Sequence, residues 1–85
     1  MKQEPSFFEG HEPELVYIAK RLRDALKIEQ LFDDAGVEYG VEADTYTGGI
    51  VFRTERVGAF FYVVPEGAQA ARDVLIVNGF KPNLG

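Results

Sequence analysis

The stretch DTYTGGIVFRTERVGAFFYVVP, residues 44–65, decides the fold. Gly48 and Gly49 stand between two runs of β-forming residues, and such a pair marks either a ligand-cradling loop or the corner of a hairpin. A phosphate-binding loop needs its glycines between a strand and the N-terminus of a helix. Residues 50–52 are Ile, Val and Phe, which continue as β-formers. The pattern therefore predicts a β-hairpin and no ligand loop at these glycines.

Two registers of this hairpin are compatible with the sequence. A turn at residues 47–48 places Glu42 opposite Arg53, so that opposite charges pair on the outer face. A turn at residues 48–49 has the better turn chemistry, because both positions are glycine, but it places Glu42 opposite Glu55. The side-chain pairs favour the first register. A slip of one residue would turn every side chain to the other face of the sheet.

Working outward from the hairpin, the chain divides into an N-terminal tail at residues 1–13 and a single α+β domain at residues 14–85. The predicted elements are a strand at 14–19, a helix from Asp24 as N-cap to Gly36, an alternating strand at 37–44, strand segments within 50–64, and a helix from Pro65 or Glu66 to Gly79. Gly58 marks either a bulge or a second tight turn. The residues after Gly79 form either a last edge strand around Phe80 or a tail.

The order strand, helix, strand, strand, helix, with an optional last strand, predicts a ferredoxin-like split βαβ fold. Each helix has one apolar face, so both helices can pack on one face of an antiparallel sheet. The first and third strands are apolar on both faces, which predicts a central position for each. The second strand carries carboxylates on its outer face, which predicts an edge position.

The sheet face without helices would expose a large apolar surface, which a monomer seldom does. Three covers are possible: the tail with its two adjacent phenylalanines, a second copy of the chain, or another, unidentified protein. We expect a homodimer or a tail cover rather than a ligand pocket. The expected interface residues are Phe7, Phe8, Tyr17 and Phe61.

Composition restricts the function further. The 85 residues are 46% hydrophobic, which fits one globular domain. The net charge of −5, with scattered basic residues, argues against binding to nucleic acid. The chain has no cysteine and no apolar run long enough for a membrane span, and the acidic N-terminus is not expected to be a secretory signal. We therefore expect no thiolate chemistry, no membrane partner and a cytoplasmic location.

The sequence shows no pair of catalytic groups. Ser6 and His11 are the single serine and the single histidine, and both lie in the tail without support for nucleophilic catalysis. Glu38, Glu42 and Asp44 form a row of carboxylates, which we expect to be solvated rather than to bind a metal. We therefore expect no enzyme activity, no cofactor and no metal ion.

The hairpin supplies a small group of candidate ligand contacts. Hairpin loops of small regulatory domains often touch ligands, and this one carries aromatic, hydroxyl and cationic side chains. The candidate ligand-binding residues are Tyr46, Thr47, Arg53 and Arg56.

The segments LVYIAKRLRDALKIEQLFDDAGVEYGVE and FFYVVPEGAQAARDVLIVNGF resemble a family of small bacterial domains of unknown function that are labelled as signal-transducing proteins. The shared pattern includes the turn at residues 35–37, the strand end at 63–65 and the alanine-rich helix at 71–75, within a match over residues 15–80. The resemblance implies a PII-like, ferredoxin-like fold and carries no catalytic residues. The long N-terminal tail with its phenylalanines departs from the family pattern.

Together these observations predict a non-enzymatic regulatory or protein-interaction domain that self-associates through the open face of its sheet. The alternative is a small-molecule or metal sensor that uses the hairpin at residues 44–56.

Overall fold

The computed structural model describes residues 1–48 and 54–84. Within them the chain forms three strands and two α-helices, which are β1 (Glu14–Ala19), α1 (Leu22–Ala35), β2 (Gly40–Gly48), β3 (Thr54–Val63) and α2 (Ala68–Val77). Short 3₁₀ turns lie at Pro5–Phe8 and Pro65–Gly67. Neither of these two α-helices reaches the length and hydropathy that a bilayer span requires. The prediction of an α+β domain is confirmed.

The strands form an antiparallel sheet with the order β1-β3-β2 in the described part of the chain. β3 is central and β2 lies at an edge, as predicted. The prediction that β1 is central is wrong, because β3 is the one strand that pairs with β1 in the described part of the chain. A strand on the other side of β1 would have to come from the residues after α2, and residues 80–84 do not form a strand.

Residues 80–84 run beside the outer edge of β1. The N–H of Asn83 donates a hydrogen bond of 2.7 Å to the carbonyl oxygen of Val16. Pro82 has no N–H to donate, so a ladder of hydrogen bonds cannot continue through it. Nε of Arg72 donates to the carbonyl oxygen of Asn83 at 3.0 Å and holds the segment close to α2. Residues 80–84 therefore cover the outer edge of β1 without adding a strand to the sheet.

β2 and β3 form the predicted hairpin, but both predicted registers are wrong. Glu42 lies opposite Phe60, and the ladder ends with Gly48 opposite Thr54. Residues 49–53 lie outside the described residues, so both predicted turn positions reach into or border on that segment.

The observed register keeps β3 continuous through Gly58, which is therefore neither a bulge nor a second turn. This register places Val41 opposite Phe61 and Ala43 opposite Ala59, so that apolar side chains meet on the face that packs against the helices. A register that matches apolar pairs on the helix side is favoured over one with a tighter turn, because cross-strand pairs stabilise the sheet one by one.

The helix ends follow the glycines that the sequence singles out. Gly36 closes α1 with φ 72°, and Gly79 follows α2 with φ 85°, a backbone region that favours glycine. After Gly79 the chain folds back, and the N–H of Phe80 donates to the last turn of α2. α1 begins at Leu22 rather than at Asp24, so Asp24 lies in the first turn instead of capping it.

Both helices pack on the same face of the sheet around one hydrophobic core. The ring of Phe32 lies at the centre, with centroid distances of 5.4 Å to Tyr39 and 6.0 Å to Phe61. Full burial of each such side chain contributes about 1.5–3 kcal/mol. The buried residues are Val16, Ala19, Ala25, Ile28, Phe32, Val37, Tyr39, Phe61, Val63, Ala68, Ala71 and Leu75. The helices thus cover one face of the sheet and leave the opposite face without helices.

Candidate interaction surface

The sheet face opposite the helices, called the open face below, carries side chains from all three strands. Side chains alternate along β3, so the burial of Phe61 and Val63 against the helices directs Phe60 and Tyr62 to the other side. The registers then place the cross-strand neighbours of these two residues on the same face. The open face consists of Leu15, Ile18, Gly40, Glu42, Asp44, Tyr46, Arg56, Gly58, Phe60 and Tyr62.

A bulge in β1 decides which of its side chains reach the open face. The register shifts between Leu15 and Tyr17, and Val16 is fully buried in the core. Tyr17 also packs against the core, with its ring 5.6 Å from that of Phe80. The strict alternation expected for this strand is therefore broken, and Tyr17 lies on the helix side of the sheet.

Phe61 is the second expected interface residue that lies elsewhere. None of its surface is exposed, because the ring is enclosed by Phe32 and Tyr39. Its neighbour Phe60 reaches the open face in its place and remains half-buried. The two adjacent phenylalanines thus divide between the core and the surface.

The absence of a side chain at Gly58 lets the two outer strands meet across β3. A Cβ at this position would lie 3.1 Å from Cε1 of Tyr46 and 3.2 Å from Cγ2 of Ile18. Phe60 extends this surface next to Ile18, which is its cross-strand partner. Ile18, Tyr46 and Phe60 are called the apolar patch below. All three keep part of their surface in contact with solvent.

Charges of opposite sign border the apolar patch. Glu42 and Asp44 are exposed on β2, at one side of the patch. On the other side Nζ of Lys20 lies 5.3 Å from the centre of the Tyr46 ring, within the range of a cation–π contact. Arg56 is exposed directly opposite Tyr46 on the hairpin. The open face therefore has an acidic β2 border and a basic border near the end of β1.

Residues 1–13, called the N-terminal segment below, cover one end of the open face. The ring of Phe8 lies over Gly40, where a Cβ would stand only 2.7 Å from Cε2 of Phe8. Phe7 packs edge-on against Phe8 with a centroid distance of 5.2 Å and keeps 38% of its surface exposed. Of the two phenylalanines of the N-terminal segment that were expected at the interface, Phe8 therefore contacts the sheet, and Phe7 packs on the outer side of Phe8.

A groove of about 300 Å³ remains between the N-terminal segment and the sheet. Burial, reinforced by Glu42 and Asp44, raises the pKa of Tyr62 in its wall, so the hydroxyl stays protonated and available as a donor. The groove is lined by Gln3, Pro5, Phe8, Pro13, Gly40, Val41, Glu42 and Tyr62. Such incomplete packing means that the segment rests on the sheet without merging into the core.

The structure brings together two of the candidate ligand-binding residues. Tyr46 and Arg56 are direct cross-strand partners. The side chain of Thr47 and the whole of Arg53 fall outside the described residues. Among residues 1–48 and 54–84, no three His, Asp or Glu side chains are grouped so that they could hold a metal ion.

Sequence reasoning missed Ile18, Phe60 and Lys20 as members of this surface. Alternation along β3 does require one of Phe60 and Phe61 to face away from the helices, but the register alone decides which. The signal for Lys20 is its position just after an apolar strand, where a long cation can reach back over a neighbouring ring.

Comparisons of the chain with protein-family models, with curated proteins and with solved structures find no match.

Proposed function

We propose that this chain is a non-enzymatic regulatory or protein-interaction domain that self-associates through the open face. The observation that carries the proposal is the apolar patch of Ile18, Tyr46 and Phe60 on the side away from the helices. The N-terminal segment makes its contact at Gly40, at the other end of that face. Partly exposed aromatic and aliphatic side chains in one continuous patch are typical of interaction sites.

We further propose that the fold is ferredoxin-like, in the manner of PII-like domains. Support comes from the order β1-β3-β2 and from the two helices on one face of the sheet. Residues 80–84 lie beside β1, where the last strand of a split βαβ fold belongs. The proposal of self-association does not depend on a central β1, since it uses the face of the sheet and not its edge. A cytoplasmic location stays a prediction from the sequence.

The distribution of charge favours a second copy as the occupant of the open face. A two-fold axis parallel to β3 would place β1 of one copy over β2 of the other. Lys20 of each copy would then face Asp44 of the other, and the two Phe60 rings would meet at the centre. In this arrangement the basic border of each copy faces the acidic border of the other, and the apolar patches of both copies are buried.

Charge reversal at the two borders tests this arrangement. We expect Lys20→Glu and Asp44→Lys each to weaken self-association about five- to tenfold, because each change alters two ion pairs in a symmetric dimer. The double variant should regain most of the lost affinity, since it restores opposite charges in the reversed order. Sedimentation velocity over a concentration series measures these affinities.

Lys27→Glu is the matched control for Lys20→Glu, because Lys27 is exposed on α1 and its substitution makes the same change in net charge. We expect this control to associate like the unaltered chain. A strict monomer up to about 1 mM, where even weak specific contacts are populated, would rule out self-association. Equal weakening by Lys20→Glu and Lys27→Glu would also count against the proposed interface, since both make the chain more negative by two charges and the effect would then reflect net charge alone.

A small-molecule sensor is the second candidate, and one observation favours it. Tyr46 lies between two cations, Lys20 above its ring and Arg56 across the strand pair. An aromatic ring between cations suits an anionic ligand with a flat ring, such as a nucleotide. Titration with nucleotides and with divalent ions, followed by amide chemical shifts, tests this candidate. Unchanged shifts at residues 44–48 and 54–58 would eliminate it.

A further inference from the structure

We infer that the N-terminal segment is a displaceable cover that competes with a second copy for the open face. This inference rests on the proposed self-association and names its regulation. The segment already occupies part of the face, because Phe8 lies over Gly40 where any side chain larger than hydrogen would collide with its ring. The chain thus supplies an occupant for its own apolar surface.

The segment is attached mainly by its first three residues, through polar contacts that are largely exposed. The α-amino group of Met1 donates to the carbonyl oxygen of Val37 and lies 3.9 Å from Oδ1 of Asp33 and 3.8 Å from Oε2 of Glu38, and the side chain of Gln3 donates to Glu38. The N–H of Gln3 donates to the carbonyl oxygen of Tyr39 at 2.7 Å, and the N–H of Tyr39 donates to the carbonyl oxygen of Met1 at 3.2 Å. Lys2 pairs with Glu29 at 3.2 Å, but 55% of the lysine side chain is exposed, and such pairs contribute little to stability. The 3₁₀ turn at Pro5–Phe8 contains no buried residue. Segments with so few buried contacts open more easily than the core.

The groove beneath the segment supports the same conclusion. A volume of about 300 Å³ between Phe8, Pro13 and Tyr62 shows that the segment does not fill the space above the sheet. Densely packed interiors have few voids larger than a water molecule. Opening therefore exposes a surface that is already partly accessible, which lowers its cost.

A second copy would need the space that Phe8 occupies. Stacked sheets lie about 10 Å apart, a distance filled by one layer of side chains from each sheet. With the two-fold axis along β3, Tyr62 and Gly40 of one copy would face the same level of the other copy. Each N-terminal segment would then lie between its own β2 and β1 of the other copy, so both must leave before the faces can close. Self-association is consequently weaker in the covered form.

Gly40→Ala tests the inference without altering the N-terminal segment. The added Cβ would lie 2.7 Å from Cε2 and 3.1 Å from Cζ of Phe8, so the ring must move, and a ring at the end of a side chain can do so. Phe8→Ala removes the cover from the other partner of the contact. We expect both variants to tighten self-association about tenfold or more, because each of the two copies no longer has to break one partly buried aromatic contact. The exchange rate of the Gln3 amide proton should rise in both, because the segment is released.

Gly67→Ala is the matched glycine control, since the nearest atom to its Cβ position lies 3.9 Å away. It should leave both the affinity and the Gln3 amide unchanged. If the affinity stays the same or falls in Gly40→Ala and Phe8→Ala while the Gln3 amide is released, the cover does not compete and the inference is wrong. In that case the charge variants still report on self-association independently. If no variant forms dimers at any concentration, the proposed function fails and the competition fails with it.

Discussion

The hydroxyl of Tyr39 donates a hydrogen bond of 3.0 Å to Oδ1 of Asp33 and joins the start of the β2 region to the last turns of α1. The ring of Tyr39 is completely buried, whereas Asp33 remains exposed. Burial raises the pKa of Tyr39 well above its ordinary value of about 10, and the hydrogen bond to Asp33 and the charges of Asp33 and Glu29 add to the increase. The folded state thus prefers the protonated phenol.

This preference predicts a loss of stability at alkaline pH. The stabilisation from the raised pKa is fully present below pH 10 and disappears as the pH rises from there toward the pKa of the folded state, because the unfolded chain loses its proton first. Tyr39→Phe should flatten this alkaline decline. At neutral pH it should cost about 1 kcal/mol, the value of one hydrogen bond. Urea unfolding at a series of pH values measures both effects. Equal alkaline slopes in the two proteins would contradict the prediction.

Gly58→Ala should destabilise the domain. The new Cβ would lie 3.2 Å from the carbonyl oxygen of Ala19, a backbone atom that cannot move aside, and within 3.2 Å of side chains from both outer strands. Overpacking of this kind costs about 1–3 kcal/mol, of which the lower backbone entropy of alanine returns a part. We therefore expect a loss of about 1 kcal/mol in thermal unfolding. Gly67→Ala should lie within about 0.5 kcal/mol of the unaltered chain, and a larger loss there than at Gly58 would refute the argument.

The adjacent residues Phe60 and Phe61 should respond differently to truncation. Phe61→Ala opens a cavity among the rings of Phe32 and Tyr39 and should cost about 3–5 kcal/mol, a large part of the stability of a small domain. Phe60→Ala removes a half-buried side chain and should cost about 1 kcal/mol while it weakens self-association. Denaturant titration and sedimentation distinguish the two. Equal costs would mean that the face assignment of β3 is wrong.

Arg72 should control the C-terminal segment more than its partner Glu14 does. Nε of Arg72 donates to the carbonyl oxygen of Asn83, and Nη1 lies 3.2 Å from Oε2 of Glu14. Arg72→Met should raise the exchange rate of the Asn83 amide proton about tenfold, because the hydrogen bond to Val16 loses its support. Glu14→Gln removes only the charge of a 42% exposed partner and should leave that amide nearly unchanged. A similar increase in both variants would assign the effect to the ion pair instead.

Local chemistry made several elements predictable. Gly36 and Gly79 end their helices because glycine adopts positive φ without steric cost, and this signal does not depend on the rest of the fold. The carboxylates of β2 marked it correctly as an edge strand. The hairpin itself followed from β-formers on both sides of the glycine pair at residues 48–49.

The register of the hairpin and the orientation of β1 were not predictable in the same way. Each depends on which apolar side chains meet in the core, and the sequence offers several equivalent matches around residues 57–63. The bulge at Val16 has no local signal, because neither glycine nor a polar residue marks it. Tyr17 and Phe61 were therefore assigned to the wrong face, whereas Ile18 and Phe60 lie on it.

Two short segments that flank the sheet limit how copies of this protein can associate. Residues 1–3 run alongside residues 37–39, before the start of β2, and residues 80–84 do so beside β1. A neighbour that approached the edge at β1 would have to displace residues 80–84, where Pro82 offers it no donor, and the exposed Glu42 and Asp44 discourage pairing along β2. Contact through the open face would instead end at a pair, because the helices cover the other face of each sheet. If copies associate through the open face as proposed, the assembly is therefore a closed pair and not a fibril.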